Sequence, residues 1–159
     1  MWTNVKEFLK TEDCQRLLEQ ENLSMIFQKW VGESGGANLR PLIKFFKDIG
    51  IEPLEYLKYL PFGYFYHESP EILKIPDNIT MLQNESIYKC NNLKELHLPT
   101  SIQYMHDDVV YDCKNLEKVV YAGTVKQFLK IRQEAFCNTN IEVHCTDGVI
   151  DVTNTFGDD

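Results

Sequence analysis

The residues able to do chemistry in this chain are few. They are five cysteines, Cys14, Cys90, Cys113, Cys137 and Cys145, two of the four histidines, His97 and His144, and an acidic pair, Asp107 and Asp108. A cysteine acts as a nucleophile only as thiolate, beside a base or in an electropositive setting. Cys90 opens the stretch CNNLKELHLP and Cys113 opens CKNLEKVVYA, 23 residues further on, so both hold one position of a repeated pattern. No histidine shares that position, and a recurring cysteine of this kind is expected to be a small buried hydrophobe. An odd count with no CxxC pair fits free thiols in a reducing compartment. His97 and His144 fall two strands apart, about 9.6 Å at the stacking distance of a sheet, too far for one zinc ion to bind both. Asp107 and Asp108 lie in a turn between repeats, where solvation explains them better than acid–base catalysis. Nothing matches a phosphate loop, a dinucleotide fingerprint or a catalytic triad. The expectation is no catalytic residue, no cofactor, no metal site and no enzyme.

These residues are positioned by two halves with different periods. Over 1–62 the apolar spacing is helical. In NLRPLIKFFKDIG the positions Leu39, Leu42, Ile43, Phe46 and Ile49 recur at three and four, Pro41 falls in the first turn, and Gly50 follows as a helix-ending glycine. EPLEYLKYLP repeats the arrangement with Leu54, Leu57 and Leu60, and CQRLLEQENLSMIFQKWV reads as two short helices meeting near Asn22. GESGG, residues 32 to 36, is expected to be a loop. From about residue 63 the period becomes 23. Ile75 to His97 and Leu98 to Val120 align as two units, pairing Ile79 with Ile102, Leu82 with Met105, Tyr88 with Tyr111, Leu93 with Leu116 and Leu96 with Val119. YFYHESPEILKIP is one residue short of the same unit, and VKQFLKI suggests a helical turn before a last strand in IEVHC. The register of that last unit is open: Cys137 lies 24 beyond Cys113, while Ala135 and Phe136 look like counterparts of Val109 and Val110. The reading is α+β, with a helical N-terminal cap or subdomain over 1–62, a solenoid of about three to four units over 63–150, and a loose tail over 151–159.

The repeated units, IPDNITMLQNESIYKC and LPTSIQYMHDDVVYDC, resemble the BspA-like leucine-rich repeats of bacteria, protists and phages. Those are built on IP-x-x-I-x-x-I-x-x-x-A-F-x-x-C-x-x-L. The likeness runs from about 64 to 150, and YAGTVKQFLKI with IEVHCTDG is similar to the terminal unit of that family. The usual Ala-Phe pair stands only at Ala135–Phe136, with Ser86–Ile87 and Val109–Val110 replacing it elsewhere. The resemblance implies a solenoid that binds rather than catalyses, commonly outside the cell. This chain opens without a basic segment and apolar run of the secretory kind, and no stretch is long enough to span a membrane, so a cytoplasmic location is expected. The three N-x-S/T triplets at Asn22, Asn78 and Asn84 are then chance matches.

Strands are expected at 72–75, 95–98, 118–121 and 142–145, one per unit. Leu73, Leu96, Val119 and Val143 would face inward, together with Ile75, Leu98, Tyr121 and Cys145. Two outward columns would be left, Ile72, Glu95, Lys118, Glu142 and Lys74, His97, Val120, His144, as the candidate partner-binding surface. Glu95, Lys118 and Glu142 alternate in sign and could equally be a structural charge ladder. In the helical half, the tyrosines Tyr56, Tyr59, Tyr64 and Tyr66 would suit an interface wherever capping leaves them exposed. The net charge of -8 divides as -2 over 1–70 and -6 over 71–159, which disfavours direct nucleic-acid binding. The leading reading is a non-enzymatic protein-binding module, its ligand a protein rather than a small molecule or a membrane. The alternative is a small acidic inhibitor that blocks a nucleic-acid-handling enzyme by mimicry or steric occlusion.

Overall fold

The computed structural model describes residues 4–34, 38–132, 134–136 and 140–152, with the side chain of Ser34 left aside. Four helices open the chain: α1 (Val5–Leu9), α2 (Glu12–Glu19), α3 (Leu23–Ser34) and α4 (Arg40–Asp48). The first three begin at side chains that accept orphan backbone N–H groups. Asn4 Oδ1 takes Lys6 N–H at 2.9 Å, Thr11 Oγ1 takes Cys14 N–H at 3.4 Å and Asn22 Oδ1 takes Met25 N–H at 3.2 Å. Pro41 sits in the first turn of α4, and Gly50, at φ +89°, follows its end. α3 runs through Gly32 to Ser34, so the loop expected over 32–36 starts later than the glycines suggest; Gly35 and Gly36 lie outside the described residues. The helices pack through Phe8 on Trp30 (ring centroids 5.1 Å apart, edge-on) and Phe27 on Phe46 (6.1 Å).

EPLEYLKYLP does not make a further α-helix. Pro53–Glu55 is a single 3-10 turn, and Tyr59–Leu60 is already a strand of the solenoid, pairing with Met81–Leu82. The cause is a degenerate spacing. Leu57 and Leu60 are three apart, as on a helix, but so are Ile79 and Leu82, and Ile102 and Met105, in the coils that follow. All six are buried.

Each full coil contributes three short strands rather than the one expected, so the solenoid has three sheets. Sheet one stacks β1 (Tyr59–Leu60), β4 (Met81–Leu82) and β7 (Tyr104–Met105); sheet two stacks β2 (Phe65–Tyr66), β5 (Ile87–Tyr88) and β8 (Val110–Tyr111). The main sheet carries β3 (Ile72–Lys74), β6 (Glu95–Leu98), β9 (Lys118–Tyr121) and β10 (Glu142–Cys145) in parallel, closed by the antiparallel β11 (Gly148–Asp151). Corners between sheets one and two carry Gly63, Glu85 and Asp108 at positive φ; those after sheet two carry His67, Lys89 and Asp112. Five of these six L- or glycine corners hold a side chain, so the left-handed turn is imposed by stacking and not by glycine. The last frame follows Ala135–Phe136: Phe136 bridges Val110, and Val110 N–H donates to the Ala135 carbonyl at 2.9 Å. Cys137 lies outside the described residues.

A continuous buried core joins the helices to the coils. At the first coil Phe27 meets Tyr64 (6.2 Å), and Ser24 binds both Lys58 N–H and the Tyr59 hydroxyl. At the far end α5 (Val125–Ile131), started by a Thr124–Gln127 capping box, lays Phe128 on Tyr121 and Phe136. Both open ends of the stack are thereby covered, as a short solenoid requires. Asp151 ends β11 and Val152 is buried; residues 153–159, the rest of the expected tail, lie outside the described residues.

Candidate binding faces of the solenoid

The main sheet holds the eight candidate residues in two registered columns. Ile72 pairs with Glu95, Glu95 with Lys118 and Lys118 with Glu142; beside them Lys74 pairs with His97, His97 with Val120 and Val120 with His144. Alternation sends their neighbours inward. Leu73, Leu96, Val119 and Val143 are buried, as are Ile75, Leu98 and Tyr121, while Cys145 is only half-buried. Ile72, Lys74 and Glu142 are exposed and the other five are half-buried.

Cross-strand signs alternate, but the carboxylates take their hydrogen bonds along the strand. His97 Nε2 donates to Glu95 Oε2, and His144 Nε2 to Glu142 Oε1 at 3.1 Å, each pair two residues apart on one face. The hydrogen bond from His97, with the Lys118 and Lys74 ammonium groups behind it, lowers the Glu95 carboxyl from its ordinary value. The two histidines thus serve carboxylates, and among the described residues no group of three or more metal-ligating side chains comes together.

The cysteines of the repeat hydrogen-bond between coils. Cys90 N–H donates to Cys113 Sγ at 3.4 Å, the Cys113 thiol donates to the Ile87 carbonyl at 3.5 Å, and the Cys90 thiol donates to the Phe65 carbonyl at 3.4 Å. Each thiol therefore reaches one coil back and stitches successive turns. The hydrogen bond between the two cysteines, and then burial, push the Cys113 thiol well above the usual thiol range, while the same hydrogen bond lowers its partner Cys90 against the opposing effect of burial. Cys14, Cys90, Cys113 and Cys145 are all free. Asp107 is exposed beside the corner residue Asp108, and its Oδ1 accepts the Glu134 N–H at 3.3 Å, a turn-fixing role.

Of the four tyrosines offered as interface residues, Tyr56 and Tyr66 are exposed, Tyr59 is half-buried with its hydroxyl given to Ser24, and Tyr64 is buried. Burial pushes the Tyr59 phenol up to about 12. Sheet two carries a larger aromatic feature. Tyr66, Tyr88 and Tyr111 hold one outward position of sheet two, with ring centroids 5.2 and 5.4 Å apart along the stack. Its signal is in the sequence as FYH, IYK and VYD at matching places. At the helical end of this ladder Leu39, Arg40, Phe62, Gly63, Tyr66 and Tyr88 line a groove of about 280 Å³. Arg40 fixes its wall by donating to the Tyr66 carbonyl and pairing with Glu68 at 3.3 Å. No helix among the described residues is long and apolar enough to cross a membrane.

No curated protein and no solved structure matches this chain. A family model does, described as the BspA type leucine-rich repeat region, with six copies over residues 46–146. The match starts in α4, takes in every strand from β1 to β10 and ends just past β10. Covering well over half of the sequence, it shows that the chain belongs to the BspA-type leucine-rich repeat family.

Proposed function

We propose that this chain is a non-enzymatic, cytoplasmic protein-binding module whose contact surface is built by the repeats, with the helical region closing one end. The observation that carries this is the pair of registered outward columns across β3, β6, β9 and β10, which spread apolar, acidic, basic and histidine side chains over one rigid face. Repeat stacks bind through such extended surfaces, since every unit adds one more strand to the same face. The thiol ladder supports a reducing compartment, because Cys90 and Cys113 do their hydrogen bonding as free thiols. Lys118 stands in register between Glu95 and Glu142, and Lys74 lies in the adjacent column opposite His97. That mixture favours a protein surface over imitation of a phosphate backbone, which needs one sign along a line.

Affinity capture from native lysate at physiological salt tests the reading, with wild type compared against a Glu95→Lys/His97→Ala/Lys118→Glu triple variant of confirmed fold. The expected result is a stoichiometric protein retained by wild type and depleted about tenfold or more by the variant. Equal recovery on both baits, or no stoichiometric protein on either, contradicts it.

A further inference from the structure

We propose that sheet two carries a second recognition surface: the ladder Tyr66–Tyr88–Tyr111 and its acidic corner form a track for an extended lysine- or arginine-bearing segment of a protein partner. The inference rests on the binding-module reading and names both a face and a partner chemistry for it.

Three observations meet here. The tyrosines stand in consecutive coils at one outward position, Tyr66 opposite Tyr88 and Tyr88 opposite Tyr111, so their rings form a continuous strip along the stack. Tyrosine faces attract cations through the ring quadrupole, and this strip already takes one, the Lys89 Nζ at 5.3 Å from the Tyr88 centroid. The corners that lead into β5 and β8 carry Glu85 and Asp108, while the corner before β2 is Gly63. Gly63 N–H donates to the Glu85 carbonyl, Glu85 N–H to that of Asp108 and Asp108 N–H to that of Glu134, so the backbones of three acidic residues stack one coil after another at the turn that precedes this sheet. Among the described residues no ion pair engages Glu85, Asp108 or Glu134. Their charge is available to an incoming cation, in the half of the chain that carries -6 of the -8.

The groove lined by Leu39, Phe62 and Tyr66 continues the strip at its helical end and suits one apolar side chain of the same segment. Aromatic strips also stack single-stranded nucleic acid, but such sites pair the rings with a positively charged groove, and the carboxylate corner is its opposite.

Selection of a displayed library of short random peptides on the full chain tests the proposal, followed by fluorescence anisotropy of the enriched peptides. Enriched peptides should be rich in lysine and arginine and should weaken with added salt. Binding should fall about tenfold or more in Tyr66→Ser/Tyr88→Ser and in Glu85→Gln/Asp108→Asn, and should survive in Tyr88→Phe, which keeps the ring. The carboxylate pair changes no ring, so the proposal stays testable if the serine variant folds poorly. No enrichment, enrichment of neutral or acidic peptides, or unchanged affinity in the carboxylate variant overturns it, as does tighter binding of a labelled oligo-dT. A lysate partner lost by the main-sheet triple variant but kept by both ladder variants would overturn this track and leave the binding-module reading standing.

Discussion

Ser86 offers a sharp test of the coil register. It is fully buried, and its Oγ has no hydrogen-bond partner among the described residues. It precedes the strand residue Ile87 as Val109 precedes Val110 and Ala135 precedes Phe136, so the equivalent positions one and two coils on are apolar. A buried hydroxyl without a partner costs roughly 1–3 kcal/mol. Ser86→Ala removes it and leaves a void of about one atom, worth only about 0.2–0.5 kcal/mol at the usual price of cavity volume. The variant should therefore gain about 1–2 kcal/mol. In a chain of this size that raises Tm by roughly 3–6 °C. In urea the midpoint should rise with the m-value unchanged, which assigns the gain to the native state. Ser86→Thr keeps the hydroxyl and should show no gain. A loss of about 1 kcal/mol or more in Ser86→Ala at constant m would refute the reasoning, because the hydroxyl would then be bonded and the register wrong at this corner.

Three further outcomes follow from the same geometry. Leu96, fully buried between Leu73 and Val119, should cost about 3–5 kcal/mol on change to alanine, whereas exposed Ile72→Ala should stay within about 0.5 kcal/mol; chemical denaturation reads both. A methyl group on Gly123 would come within 2.6 Å of the Tyr121 ring and the Gln127 side chain, while one on Gly63 meets nothing within 4 Å. Gly123→Ala should thus lose about 1–3 kcal/mol, and Gly63→Ala only the left-handed strain of about 1–2 kcal/mol. The Glu95 carboxyl is depressed in the fold, so the unfolded chain binds its proton more tightly. Its contribution is complete above the unfolded value near pH 4.5 and is lost as pH falls through the lowered folded value. In pH-dependent denaturation Glu95→Gln should be less stable than wild type at neutral pH and converge with it in acid; parallel curves would contradict the pairing with His97.

The strands of the main sheet were legible because a 23-residue echo and a two-residue alternation act together on Leu73, Leu96, Val119 and Val143. Residues 72, 95, 118 and 142 consequently meet in the register the repeat implies. The other two sheets were not legible. Two-residue strands such as Met81–Leu82 carry no alternation, and the three-residue spacing of Leu57 and Leu60 serves a helix and a coil equally well. Nor could the corners be found by their glycines, since Glu85, Lys89, Asp108 and Asp112 adopt positive φ under the constraint of stacking. The candidate columns on the main sheet came directly from alternation. The tyrosine ladder was equally visible in FYH, IYK and VYD, but it becomes a surface only once each coil is known to bend three times.

The central claim is that the stacked repeats present the binding surface. Hydrogen exchange of the full chain, alone and saturated with the partner it captures, addresses that claim most directly. The result expected is added protection in the strands Glu95–Leu98 and Lys118–Tyr121 or in Ile87–Tyr88 and Val110–Tyr111, with the helices α1 and α2 unchanged. Protection confined to Val5–Leu9 and Glu12–Glu19, with every solenoid strand exchanging as in the free chain, would contradict it.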